Sequence, residues 1–224
     1  MVLYHGAALL DMFYGIKIPL YDSTLLNVLQ EVFACAFIVI SGISCRLSRS
    51  NARRGVICFA AGLLVTAVTF AAVPDSPVTF GILHFLGVCM VLFSALQGVA
   101  DKIPPLWGMA VCALLFLFTY GVSGGSVFFG LITLPKALFR SGLLTPLGFI
   151  RDSYSSVDFF PLLPYAFVFF FGAYLGRLIT EGKCPEFAYK MHSRFLAFTG
   201  RHTLWIYLAH QPVLFALAQI FVRK

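Results

Sequence analysis

From Phe80 to Ala95 the chain runs through apolar and small residues without a single Asp, Glu, Lys or Arg, and inside that run sits one histidine, His84. A stretch of this kind reads as a membrane-crossing helix, and an imidazole within it needs a polar partner or a cavity. Gly81 and Gly87 lie three residues either side of the histidine and share its face at helical spacing. Small residues let a neighbouring helix come close, so His84 is expected to point into a helix bundle rather than at lipid. Two readings follow: a functional group held at depth, or a histidine hydrogen-bonded across helices for packing alone.

The rest of the chain is equally apolar. It is 60% hydrophobic and 11% charged over 224 residues, with a mean hydropathy of +0.91. At about 20 residues per crossing, the expected architecture is all-α: a polytopic transmembrane bundle of about seven spans, forming one domain over residues 1–224. The spans are expected at Met1–Ile16, Thr24–Cys45, Gly55–Val73, Phe80–Gly98, Leu106–Val122, Asp158–Ile179 and Thr203–Phe221, with an amphipathic surface helix over Phe187–Phe198. The first of these is short and reads as a helix lacking its beginning; neither a basic start nor a clear cleavage site marks it as a signal peptide. Between the fifth and sixth spans, Ser123 to Val157 is half apolar and punctuated by glycine and proline. That composition suits a long, partly apolar extracytoplasmic loop lying at the interface or re-entering over the bundle mouth.

A net charge of +7 does not point to nucleic acid here, because the basic residues fall at the ends of apolar runs, where they set topology. One side collects the Arg46 to Arg54 segment together with Lys102, Arg177, Lys183, Lys190, Arg194 and Arg201; the other carries Lys17, Lys136, Arg140, Arg151, Arg223 and Lys224. The first side, with the N-terminus, is expected in the cytoplasm, which puts Glu31 and His84 in the outer half of the membrane. Six cysteines show no metal-ligand or CxxC spacing, so neither a disulfide framework nor a metal site is expected.

Several polar groups are placed where they can act. Asn27, Glu31, Ala34, Ser41 and Cys45 share one side of the second span. Thr203, Tyr207, His210 and Gln211 form a stripe beside Pro212, whose missing N–H frees the Leu208 carbonyl; a cavity lining and an ordinary proline kink both fit. Asp158 opens the sixth span, where an acid at a helix N-terminus is favoured by the dipole without any further role. Gly172-Ala-Tyr-Leu-Gly176 reads as helix packing. His5 and Asp11 are six residues apart, about 240° around a helix, so they do not stack as a dyad unless the helix unwinds. Walker A, GxSxG, HExxH and dinucleotide-binding patterns are absent.

Four separated stretches resemble one family: Phe37-Ile-Val-Ile-Ser-Gly-Ile-Ser44 with the arginines after it, Phe80-Gly-Ile-Leu-His-Phe-Leu-Gly87, Asp158-Phe-Phe-Pro-Leu-Leu-Pro164, and Gly200-Arg-His-Thr-Leu-Trp-Ile-Tyr-Leu-Ala-His-Gln-Pro212. In order and content they are similar to the bacterial branch of the heparan-alpha-glucosaminide N-acetyltransferase catalytic-domain family, and Met1-Val-Leu-Tyr-His5 resembles the end of that family's first helix. The resemblance implies a polytopic acyltransferase of a bacterial cytoplasmic membrane. It would take an acyl group, acetyl above all, from cytoplasmic acyl-CoA and deliver it to a glycan or amino-sugar acceptor on the far side. His5 matches the first-helix histidine and His84 the one in the Gly-Ile-Leu-His motif, whereas Asp11 stands further from His5 than the family's acid does.

The expected roles follow from that resemblance. His5 or His84 would act as general base on the acceptor or carry the acyl group, with Glu31 or Asp158 fixing the tautomer. Arg46, Arg49, Arg53 and Arg54 would hold the phosphates of CoA, against the plainer reading that they set topology and meet anionic lipid. Asp11, Tyr207, His210 and Gln211 would line the cavity. The partners implied are the bilayer and the glycan, with a homodimer also compatible. A transporter relaying protons through the same His and Glu, and a non-catalytic membrane subunit, are the rival readings.

Overall fold

The computed structural model describes residues 6, 7, 10, 11, 15, 23–72, 74, 77–151, 153–156, 158–190 and 193–222. The chain divides into two compact units, residues 38–188 and residues 1–37 with 189–224. Among the described residues, five helices are long and apolar enough to cross a membrane.

The larger unit holds the C-terminal half of α1 (Thr24–Arg46), then α2 (Asn51–Ala72), α3 (Ile82–Ala100), α4 (Pro105–Thr119) and α5 (Leu162–Thr180). Local chemistry sets several of the boundaries. Pro105 opens α4, where its missing N–H costs nothing and its φ is already helical. α3 ends as the Asp101 N–H returns to Gln97 O at 2.8 Å. Helix contacts form at glycines. Gly55 and Gly87 bring α2 and α3 so close that a Cβ on Gly87 would lie 2.7 Å from Phe59 Cβ and 2.8 Å from the Gly55 carbonyl. Gly42 of α1 and Gly172 of α5 meet backbone to backbone in the same way, and Gly176 sits against Ile43. Gly108 of α4 seats the ring of Tyr174. The buried stripe of α1, Ala34, Ile38, Ser41 and Cys45, is the small and polar side expected from periodicity, although Asn27 is exposed. Leu63, Leu64 and Val68 of α2 and Leu114 and Leu117 of α4 stay exposed, as lipid-facing side chains should.

Two ends of this unit are chemically distinct. At one, Arg46 Nη1 pairs with Asp101 Oδ1 at 2.5 Å, and Arg177 Nη1 donates to the carbonyls of Asp101 (2.9 Å) and Ile103 (3.0 Å), tying together the C-terminal ends of α1, α3 and α5. At the other lies the connection between α4 and α5. It is built from 3₁₀ turns at Val122–Gly124, Lys136–Phe139 and Gly142–Leu147 and from a small hairpin, β1 (Ser126–Val127) with β2 (Ile132–Thr133). This connection is joined to the start of α3: Phe160 N–H donates to Phe80 O at 3.0 Å, and Thr79 Oγ1 meets Tyr154 Oη at 2.6 Å.

In the smaller unit, Ser23 accepts from Leu26 N–H at 3.2 Å as α1 begins. The segment expected as one amphipathic helix over 187–198 is a 3₁₀ turn at Glu186–Tyr189 followed by α6 (Arg194–Arg201); Ser193 starts the latter afresh by accepting from Leu196 N–H at 3.3 Å. α7 (Thr203–Val222) contains Pro212, and its apolar portion, Thr203–Ala218, is shorter than the five candidate spans. The expected first span lies mostly outside the described residues, and among the described residues there are five candidate crossings against the seven expected.

Candidate functional site

Two threonines of α2 prepare the site. Thr69 Oγ1 accepts from Val78 N–H at 3.0 Å and Thr66 Oγ1 donates to Val78 O at 2.6 Å, so the chain just before α3 is pinned on both sides of one residue. α3 then starts at Ile82 with its first N–H groups lacking intrahelical partners. His84 supplies one partner: its Nδ1 accepts from Gly81 N–H at 3.3 Å. Asp158 supplies the next, its Oδ2 accepting from Ile82 N–H at 3.3 Å. An imidazole and a carboxylate thus end on adjacent N–H groups of one helix terminus, where the dipole favours negative charge.

The bonding defines the protonation pattern of the ring. Gly81 N–H only donates, so Nδ1 presents its lone pair. The Thr66 hydroxyl proton is committed to Val78 O, so at the 3.4 Å separation Nε2 is the donor and Thr66 Oγ1 the acceptor. His84 is therefore assigned as the neutral Nε2–H tautomer from its hydrogen-bond network. The ring is 2% exposed. Phe59 meets it edge-on at 5.3 Å, Phe80 stacks on it at 5.7 Å, and a Cβ on Gly62 would come within 2.9 Å of Nδ1. The ring faces the α2–α3 seam and not lipid.

Asp158 reaches this position in a way its sequence context does not suggest. As the expected first residue of the sixth span it should cap that span. α5 instead begins at Leu162 behind Pro161, and the Asp158 carboxylate caps α3, 76 residues away in sequence. The Phe80 to Phe159 backbone bridge carries it there.

Arg46 reaches to the opposite end of α3. Seventeen residues separate His84 from Asp101, about 25 Å at 1.5 Å per residue. Arg46 pairs with Asp101, donates from Nε to Ala173 O at 3.0 Å and stacks over Phe93 at 4.8 Å, while its Nη2 is buried without a hydrogen-bond partner. Arg54 reaches Ser44 Oγ at 3.2 Å, and Arg49 and Arg53 are exposed.

In the smaller unit Glu31 is half-buried on α1, and Asp11 is half-buried and helical, with its carbonyl accepting from Gly15 N–H at 3.0 Å. His210 of α7 is 9% exposed, and its Nδ1 turns back to Tyr207 O at 2.5 Å. His5 and the side chain of Gln211 lie outside the described residues. Sequence reasoning missed Thr66, Thr69, Gly62 and the Asp101 partner of Arg46. Gly62, Thr66 and Thr69 recur at i, i+4 and i+7 in an otherwise apolar helix, a polar stripe that would have revealed them. Asp101 carried no such signal, because its partner is 55 residues away.

A bundle of apolar helices with a buried imidazole and a half-buried carboxylate on one helix terminus is an integral membrane protein. The chain belongs to the family described as heparan-alpha-glucosaminide N-acetyltransferase, catalytic, which it matches over residues 1–212. Comparisons with curated proteins and with solved structures gave no match. Membership makes membrane acetyl transfer the activity to be explained.

Proposed function

We propose that this protein moves an acetyl group from acetyl-CoA on the cytoplasmic side to an amino group or hydroxyl of a glycan on the far side of a bacterial cytoplasmic membrane. In the reaction the acceptor nitrogen or oxygen forms a bond to the thioester carbonyl carbon, the carbon–sulfur bond breaks, and CoA leaves as the thiol. His84 takes the acceptor's proton on Nδ1 while Nε2–H stays on Thr66, and that proton passes on to the departing CoA sulfur, restoring the neutral ring; the Asp158 carboxylate at the same helix end favours the imidazolium in between. The Gly81 bond to Nδ1, at 3.3 Å the long end of a hydrogen bond, is the one exchanged for the acceptor. Arg49, in the α1–α2 connection, and Arg53 and Arg54, in the first turn of α2, take the phosphates of the donor, and Arg46 anchors the end of α1 that precedes them. Asp11, Glu31, Tyr207, His210 and Gln211 of the smaller unit, together with His5, are further residues this reading assigns to the acceptor.

The observation that carries this reading is the meeting of His84 and Asp158 on the first N–H groups of α3, in a chain that belongs to an acetyltransferase family. One feature favours a second reading, in which His84 only caps α3: both ring nitrogens have partners and the ring is sealed. Purified protein in liposomes, given labelled acetyl-CoA and a glucosamine-terminated oligosaccharide, separates the two. With His84 as base, His84→Gln loses transfer by about 100-fold or more while melting within a few degrees of the parent. Transfer by that variant at the parent rate assigns His84 to capping, and counterflow of a solute without any acetyl product supports a transporter instead.

A further inference from the structure

With the 3₁₀ turn that continues it, α4 spans Pro105–Gly124, 20 residues, about 30 Å, the thickness of a hydrocarbon layer. Its lipid-facing surface does not stop at Thr119. The chain turns through Val122–Gly124 into the β1–β2 hairpin, whose Phe128 N–H donates to Phe118 O at 2.8 Å and whose Phe128 ring packs 5.9 Å from that of Phe118. Phe118 is itself an exposed residue of α4, and beyond it Phe128, Phe129, Leu131 and Ile132 continue the exposed apolar surface, with Phe129 72% and Leu131 75% exposed.

The backbone of the hairpin tip points the same way. Phe128, Phe129 and Gly130 have φ values of 50°, 56° and 89°, three consecutive residues in the left-handed region that glycine and asparagine occupy most easily. A tip in water would be built from those residues. This one holds two phenylalanines in a disfavoured conformation with their rings outward, and burial of the rings in something apolar offsets that cost. Lys136 and Arg140 follow, both exposed, with stems long enough to reach anionic headgroups from an apolar edge.

We propose that the Phe128–Ile132 tip is a membrane-interface anchor, a lipid-binding surface at the end of the α4 crossing that inserts its side chains among the acyl chains while its hydrogen-bonded backbone stays at headgroup depth. The occupant is lipid because the patch is continuous with the exposed face of a spanning helix and ends in basic residues. The position also holds the connection that delivers Asp158 to α3 against the membrane.

Two measurements in phosphatidylcholine and phosphatidylglycerol vesicles test this. In the first, Phe129→Trp is placed in a Trp107→Phe, Trp205→Phe background and its emission is read with and without brominated acyl chains. A blue-shifted emission quenched at least two-fold by the bromines is expected. A red-shifted, unquenched emission puts the tip in water, and a blue-shifted but unquenched one puts it against protein; either overturns the proposal. The second uses the unsubstituted protein: a carbene-forming probe dissolved in the lipid should label the peptide containing Phe128–Ile132, and an unlabelled peptide alongside labelled α4 overturns it equally. Neither outcome depends on acetyl transfer.

Discussion

Thr66 gives its one hydroxyl proton to Val78 O and keeps a lone pair for His84 Nε2–H, so a single oxygen holds both the entry to α3 and the tautomer of the ring. Thr66→Val keeps the volume and removes both bonds. It leaves a carbonyl and a ring N–H buried without partners, and the expected loss is about 1–3 kcal/mol of stability, read as a lower melting temperature in detergent, with Thr66→Ser recovering most of it. Acetyl transfer should fall with Thr66→Val as well, because a ring free to rotate no longer presents Nδ1 in one place. At this scale much was legible. His84 in its apolar run and the glycines around it announced a buried imidazole facing another helix. The bonding state of the ring was not, because it depends on a hydroxyl of α2 and a backbone N–H at a helix start that only the fold brings to it.

Helix α5 shows how packing and charge act along one element. Gly172 touches the backbone of Val39, and a Cβ there would overlap the Val39 carbonyl. Backbone cannot yield as a side chain can, so Gly172→Ala must push α1 and α5 apart; about 1–3 kcal/mol is the expected cost, again measured by melting. The Gly172–Gly176 pattern read as packing from sequence alone, but its partner surface around Gly42 did not, since either glycine would accept any close neighbour. At the far end of α5, Lys183 and Arg177 donate to the Glu181 carboxylate at 2.7 Å each and hold it below its ordinary pKa, the Lys183 bond being the larger cause. A depressed carboxylate contributes stability that is fully present above its unfolded-state pKa and is lost as pH falls through the folded one. Glu181→Gln should therefore lower stability slightly at neutral pH, where the carboxylate's contribution is present, and flatten the acid limb of a melting-temperature profile below about pH 4.3, the ordinary Glu value; the group is exposed, so the change is small.

In the larger unit, the network of Arg46, Asp101 and Arg177 lies at one end of α3 and the His84–Asp158 pair at the other. Arg46, its side chain 7% exposed, has Asp101 as its carboxylate partner. Asp101→Asn removes that partner but leaves a polar group in its place. The expected loss is about 1–3 kcal/mol, discounted from the larger cost of breaking a fully buried pair because the Asp101 side chain is 40% exposed. Denaturation in a graded detergent series would show it, and the loss should exceed that of Glu181→Gln at neutral pH.

Sequence alone determined the class of environment and most of the elements. Runs without charge must lie in lipid or a core, and their ends are marked by proline, glycine and arginine, so helices near Thr24–Arg46, Asn51–Ala72, Ile82–Ala100 and Leu162–Thr180 were legible to within a few residues. Family membership was legible too, because short motifs in order survive without any geometry. The tertiary structure decided which polar groups meet. Asp158 caps α3 and not the helix it precedes, Arg46 finds Asp101, and Thr66 finds His84. Each of these pairs is remote in sequence. A buried polar group announces that it needs a partner, but any group of the right chemistry satisfies that need, and only the packing of the helices says which one arrives.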